Sequence, residues 1–359
     1  MKLLKKAFMI IIITTITITL VSNIQIDISA KANCDSNNRK VTNIAVIVRS
    51  FSDPFNLSLK QSFEEIQKEN EDKVKFTIFD GQNNINTQNQ IIDSIVQNNE
   101  NDIELLIVNL ADVAENSVKE VINKTKPENI PLVLLQVAPE TILKVPKYNR
   151  VVFVAGNSER AGISQGKILI DLWNTNKKVI DKNNDNVMEY IMLKGKAESE
   201  PEIQRTKSSI ATLKNSGIKI QELASVNANW SKDLAKNYFE NLFIKYGDKI
   251  EVVIGNNDAM AIGVTEILQK YGYNKGDKSK YITVIGVDGT QEAKDLVDKG
   301  FMAGTVIQDI KPFAEQMYNV GMNLVNYVDP LKNTNLKFKD GEIIVTLPYE
   351  AYIGRTKSP

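Results

Sequence analysis

The sequence predicts an α/β protein made of two lobes, each a doubly wound, parallel sheet. Three observations carry this reading. Short apolar runs alternate with segments of helical periodicity from Asn43 onward, the series restarts near residue 150, and 359 residues suffice for about two domains. A repeated βα order makes the strands parallel, because each helix returns the chain across the sheet. Two series of similar size leave a cleft between them.

The first series opens with a strand at Ile44 to Val48. Its helix spans Pro54 to about Glu69, with Phe55, Leu59, Phe63 and Ile66 at helical spacing. Strands follow at Val74 to Phe79, Leu105 to Val108 and Leu132 to Val137, separated by helices over about Gln88 to Val96 and Val113 to Thr125. The second series reads Val151 to Ala155 (strand), Arg160 to Trp173 (helix), Tyr190 to Leu193 (strand) and Ile203 to Leu213 (helix). It continues with strand Ile218 to Leu223, helix Trp230 to Tyr246, strand Val252 to Ile254, a helix from Ala259 to about Tyr271, strand Ile282 to Val287 and helix Gln291 to Lys299. What remains is strand Gly304 to Ile307, a helix around Phe313 to Tyr327 and strand Ile343 to Leu347. This is too little for a third domain and reads as chain crossing back to complete both lobes. The expected division is 41–154 with 308–340 in the first lobe and 155–307 with 341–359 in the second.

The chain begins with Lys2, Lys5 and Lys6, an apolar run from Ala7 to about Val21, and Ala30-Lys31-Ala32. Basic residues, a short apolar run and an A-x-A site together make residues 1–32 a secretory signal peptide. The run is short and Thr-rich for a membrane span. Cys34 is the only cysteine, so no internal disulfide forms and a large core must stabilise the exported part. Cys34 lies near the new amino terminus, but Lys31-Ala32-Asn33 ahead of it does not look like a lipobox; lipid attachment stays open.

Composition excludes several functions. Forty-four basic and forty-four acidic residues give a net charge of +0, which offers no electrostatic footprint for nucleic acid. The chain has no histidine, which removes Ser-His-Asp and Cys-His catalysis and the usual histidine-bearing zinc sites. Chemistry by carboxylates, lysine or bound metal is left.

The polar residues that matter cluster where strands end. In Glu251-Val-Val-Ile-Gly-Asn-Asn-Asp-Ala-Met-Ala-Ile-Gly263 a buried strand opens at Gly255 into Asn256, Asn257 and Asp258 before a helix starts. Strand ends facing helix starts are where open α/β sheets meet ligands. Asp258 is also a good helix N-cap. A second stretch, Asp181 to Glu189, sets Asp181, Asn183 and Asp185 at alternate positions, then the Val187 carbonyl and Glu189. That is the spacing with which an EF-hand wraps oxygens around calcium. Asn186 stands where the EF-hand has Gly, and Met192 stands where it has its closing carboxylate, so a distant acid must complete the shell. A polar turn is the competing reading.

At these residues the chain resembles the periplasmic galactose/glucose-binding proteins, the sugar receptors of bacterial ABC importers. The matches are Val252 to Ala261, Val284 to Asp288, Ala303 to Val306, Leu193-Lys-Gly195 and the calcium-like loop. The resemblance covers essentially all of the mature chain. It implies two Rossmann-like lobes of the type I periplasmic binding protein fold, joined by a three-segment hinge that closes on a sugar. It also implies a structural calcium held by Asp181, Asn183, Asp185, Val187, Glu189 and Glu251, and sugar contacts from Asp53, Asn109, Arg205, Asn257 and Asp288. Phe55 and Trp230 match the aromatic pair that sandwiches the pyranose ring. Singly, Asp53 also reads as a helix cap, Asp288 as a turn residue and Trp230 as core.

Three positions depart from the family pattern. Ser199 and Pro201 stand where the family has a histidine and an aspartate that hold sugar hydroxyls, and Gln308 replaces an asparagine near the hinge. Two lost contacts to charged groups correspond to a loss of roughly a hundredfold or more in affinity for a glucose-like ligand. Either Glu200 or Glu198 fills the vacated space, or the ligand differs at those hydroxyls. The expected function is capture of a monosaccharide and delivery to an ABC permease by a monomer in the periplasm or on the outer cell surface. A sensing role toward a chemoreceptor or sensor kinase is the alternative, and no enzymatic activity is expected.

Overall fold

The computed structural model describes residues 41–98 and 102–354. The export signal and Cys34 lie outside the described residues. The first lobe runs β1 (Thr42–Val48), α1 (Pro54–Glu69), β2 (Val74–Asp80), α2 (Ile85–Asn98), β3 (Ile103–Asn109), α3 (Glu115–Thr125), β4 (Leu132–Leu135), α4 (Pro139–Ile142) and β5 (Val151–Gly156). The second runs α5 (Ser158–Ile180), β6 (Val187–Lys194), α6 (Glu200–Asn215), β7 (Lys219–Asn227), α7 (Lys232–Tyr246), β8 (Val252–Gly255), α8 (Asp258–Lys270), β9 (Thr283–Asp288), α9 (Gln291–Asp298) and β10 (Gly304–Gln308). The chain closes with α10 (Lys311–Val325), β11 (Phe338–Lys339), β12 (Glu342–Val345) and β13 (Tyr349–Tyr352).

The sheet orders are β11-β12-β5-β4-β3-β1-β2 and β13-β10-β9-β8-β6-β7. Strands β1 to β5 pair in parallel, as do β6 to β10. Both faces of each sheet are covered, which is why the strands read as unbroken apolar runs. Along β1, Ile44, Val46 and Val48 join the cluster that includes Phe63 of α1 and Phe313 of α10. Ala45 and Ile47 join the opposite cluster, with Ile92 and Ile122. In the second lobe Val253 faces one cluster, while Val252 and Ile254 face the other.

The chain crosses between lobes three times: from β5 to α5, from β10 to α10, and from β12 to β13. The third crossing lies later than the sequence suggested. β12 pairs in parallel with β5, Ile343 opposite Val154, and buries Ile343 and Val345 in the first lobe, so that lobe extends to Val345 rather than to 340. β13, absent from the sequence reading, adds antiparallel to β10. β11 also pairs antiparallel, so the sheets are mixed at their edges. α6 starts at Glu200, with Pro201 in its first turn, where the missing N–H costs no helical bond.

Candidate functional site

The carboxyl ends of β1 and β4 face those of β6, β8 and β9 across the cleft. There the lobes touch: the Glu200 N–H donates to the Gln136 carbonyl at 3.2 Å, and Val137 and Ser199 form an isolated bridge. Between them lies a small cavity. The first lobe contributes Arg49, Asp53, Phe55 and Gln136 to its wall. The second contributes Pro201, Arg205, Trp230, Asn257 and Asp288.

Asp53 is held from two sides. Its backbone is extended and it caps α1, Oδ1 accepting from the Phe55 N–H at 3.0 Å, while Oδ2 receives Arg49 in a buried ion pair. The cap fixes the carboxylate at the cavity wall, so capping and lining are one arrangement. Across the cleft, Trp230 lies against Gly195. A Cβ on Gly195 would overlap the indole, so the Leu-Lys-Gly stretch ends in glycine to let the ring pack on the backbone. Trp230 itself has φ 66° and Asp288 has φ 124°, conformations costly for residues with a Cβ and concentrated at ligand sites.

Arg205 organises the second lobe's share. Its Nη1 donates to the Asn256 carbonyl at 2.7 Å and lies 3.6 Å from Asp288 Oδ1; its Nη2 donates to Gln308 Oε1 at 2.7 Å. Burial pushes the Asp288 carboxyl well above the usual range. Arg205 opposes that rise, and Asp258 and Asp53 add to it. The cap of α8 is Asn257 rather than Asp258: Asn257 is extended, its Oδ1 accepts from the Met260 N–H at 3.0 Å, and its Nδ2 donates to the Trp230 carbonyl at 3.3 Å. Asp258, one residue further and already helical, reaches sideways to Thr305 Oγ1 at 2.6 Å and the Thr290 N–H at 2.8 Å. Gly286 leaves room for that carboxylate, since a Cβ there would overlap it. Burial lifts Asp258 to about 6 against these hydrogen bonds.

Of the residues expected to hold sugar, Asp53, Phe55, Arg205, Trp230, Asn257 and Asp288 meet at the cavity. Asn109 does not line it; at the end of β3 its Nδ2 donates to Asn56 Oδ1 at 2.7 Å. Gln308 acts one step back, through Arg205. Ser199 Oγ donates to the Lys196 carbonyl at 2.7 Å, and Glu200 is turned toward Ser158 Oγ at 2.9 Å. Glu198 is exposed. Neither glutamate fills the space, which is walled by Pro201. Arg49 and Gln136 escaped the sequence reading. The available signal for Arg49 was a charged residue directly after a fully apolar strand. Gln136 looked like strand, but β4 ends at Leu135 and Gln136 turns to φ 59°.

In the calcium-like loop Asn186 has a φ of 64°, which suits the place of an EF-hand glycine. Asp181 Oδ2 accepts from the Asn186 N–H at 3.2 Å, and Asp185 Oδ1 from the Val187 N–H at 2.8 Å. Glu251 Oε1 and Oε2 accept from the Lys182 and Glu189 N–H groups at 2.8 and 3.1 Å. Asp181 Oδ1 is buried without a partner. Burial raises Glu251 to about 7 and also raises Glu189, with neighbouring carboxylates adding to both rises. An orphaned carboxylate oxygen beside three further acids suits a hard cation. Yet among the described residues no three acidic, cysteine or histidine side chains converge as a metal-holding group.

The chain matches the periplasmic binding protein domain over residues 44–327. It is 29% identical over 324 residues to the D-galactose/methyl-galactoside binding periplasmic protein of Haemophilus influenzae, covering 89% of this chain and 91% of that one. It is 23% identical over 276 residues to the ribose import binding protein of Bacillus subtilis, covering 76% and 78%. Its fold matches a Bacillus halodurans ABC transporter solute binding protein with bound myo-inositol at a TM-score of 0.66, 21% identity and 88% and 96% coverage. A glucose-galactose binding protein from Geobacillus stearothermophilus matches at 0.64, with 16% identity and 87% and 97% coverage. Among the described residues no helix is long and apolar enough to cross a membrane. With two lobes, three crossings and a polar cavity between them, the chain belongs to the periplasmic binding protein family, whose compared members are solute-binding proteins and not enzymes.

Proposed function

We propose that this protein captures a galactose- or glucose-like monosaccharide in the interlobe cavity and delivers it, outside the cytoplasmic membrane, to an ABC importer. One observation carries the reading: two carboxylate–arginine pairs and two aromatic rings converge on one cavity at the strand ends. Hydroxyls both donate and accept, so carboxylates beside guanidinium groups satisfy them. Phe55 and Trp230 suit the apolar C–H faces of a sugar ring. The 29% identical relative named for galactose and methyl-galactoside points the same way. Closure about the three crossings would seal the ligand and present a closed form to the permease.

Calcium belongs to the same proposal. Asp181, Asn183, Asp185, the Val187 carbonyl, Glu189 and Glu251 would hold it, and its charge would offset that of the clustered carboxylates. Asn183 has to present its amide oxygen to the ion. Thermal-shift screening of aldoses with and without chelator tests ligand and metal together. A melting temperature raised by glucose, galactose or ribose, and lowered by chelator, is the expected outcome. No response to any aldose in calcium-replete protein would overturn the sugar reading.

A further inference from the structure

We propose that Arg49 is a ligand-contacting, specificity-determining residue, taking over in the first lobe the hydroxyl recognition that the second lobe has lost. The inference rests on the sugar-binding reading above. Arg49 follows β1 directly, and its carbonyl is anchored by the Asn83 N–H at 2.6 Å. It is buried to 6% exposure and lines the cavity. A guanidinium carries five donors in a rigid fork. The hydrogen bond the structure gives Arg49 is from Nη2 to Asp53, so most of the fork is uncommitted. Its guanidinium carbon stands 5.8 Å from the centre of the Trp230 ring, and that of Arg205 stands 5.7 Å from the same ring. Both guanidinium groups thus border the place where a pyranose would stack.

The two arginines differ in what they have left to offer. Arg205 spends Nη1 on the Asn256 carbonyl and Nη2 on Gln308, and faces Asp288. Opposite, Ser199 and Glu200 are bonded elsewhere and Pro201 offers no donor. Arg205 Nε is also buried without a partner, but Arg49, with one of its five donors hydrogen-bonded, has the larger share of its fork to offer. A sugar hydroxyl or ring oxygen is the acceptor that fits it. Arg49 also lies in the first lobe, so the contact would form before the lobes close.

A purely structural Arg49, present only to balance Asp53, would affect every ligand alike. Calorimetry on calcium-replete full-length protein separates the two roles. The probes are D-glucose, D-galactose and D-ribose, then the monodeoxy derivatives of whichever binds tightest. Wild-type protein is expected to lose about tenfold or more on one monodeoxy derivative. Arg49→Lys keeps the charge beside Asp53 and loses the fork, and should bind parent and derivative within about twofold of each other. Arg49→Gln gives the same test should the lysine variant fail to fold. If wild type binds a sugar and the variant keeps the wild-type ratio for every derivative, the inference fails and the sugar reading stands. If wild type binds none of the three sugars, both fail.

Discussion

Replacing Glu200 by glutamine should make the protein more stable, and increasingly so as pH rises. Glu200 opens α6 with its side chain buried, and Ser158 Oγ donates to it at 2.9 Å. Burial raises its carboxyl from 4.5 to about 7, against Ser158, Arg205 and Lys339, while Glu159 adds to the rise. Glu342 on β12 is raised to about 8 by burial and by Glu200, Asp340 and Glu140, against Lys339, and one of its oxygens is buried without a partner. A folded-state value above the unfolded one means that the native protein binds the proton more tightly. Stability is then greatest below pH 4.5, falls as pH rises from about 4.5 to 7, and stays low above. The shift, 7 − 4.5, is about 2.5 units, or about 3 kcal/mol at full ionisation. Glutamine removes that cost and keeps an oxygen for Ser158. Urea unfolding should find Glu200→Gln more stable by about 1 kcal/mol at pH 5 and about 3 kcal/mol at pH 9. Relief of Glu342 adds in the same direction. Other titrating groups cancel in the difference between variant and wild type. A difference equal at pH 5 and pH 9 would refute the reasoning, because a packing effect carries no such slope.

Three other changes test other parts of the site. Gly195→Ala places a methyl group into the Trp230 indole, and relief of that overlap costs about 1 to 3 kcal/mol, so sugar affinity should fall about tenfold or more, with a shifted tryptophan emission; unchanged emission and affinity would clear the contact of any role. Asn257→Ala removes both the α8 cap and a cavity amide, so it should lower stability by about 1 kcal/mol as well as weaken binding, and an unchanged melting temperature would contradict the cap. Glu251→Gln should remove the stabilisation that calcium gives wild type, about 2.7 kcal/mol at a hundred times the dissociation constant, and calcium titrations that stabilise both proteins equally would exclude Glu251 as a ligand.

The fold was legible because its strands are buried on both faces and its helices carry one apolar stripe. Each signal is local. Ile44 to Val48 and Val252 to Ile254 needed no knowledge of their partners to be read as strands. β13 was illegible for the same reason: Tyr349-Glu-Ala-Tyr352 has no apolar run, and it becomes a strand because β10 offers it an open edge. The third crossing was misplaced because the apolar run at Ile343 suits either lobe, and only pairing with β5 decides between them. In the site, residues at strand ends were visible from sequence, but side-chain direction was not. Nothing in Lys196 to Glu202 shows that Glu200 turns to Ser158 while Pro201 faces the cavity.

Capping a helix and lining the cavity are compatible roles for one side chain, as Asp53 and Asn257 show. A capping carboxylate or amide has two polar atoms, and the helix N–H takes one. At Asp53, Oδ1 caps α1 and Oδ2 holds Arg49; at Asn257, Oδ1 caps α8 and Nδ2 reaches the Trp230 carbonyl. In both cases the cap fixes the side chain at the strand end where the cavity lies, and its second atom holds a cavity residue in place. Building the site from helix starts therefore limits the rotamer freedom that ligand binding would otherwise have to remove. It also couples stability to recognition, because truncating Asp53 or Asn257 to alanine removes a contact and loosens a helix together. Arg49 caps nothing, so the ligand contact proposed for it can change while Asp53 keeps α1 capped.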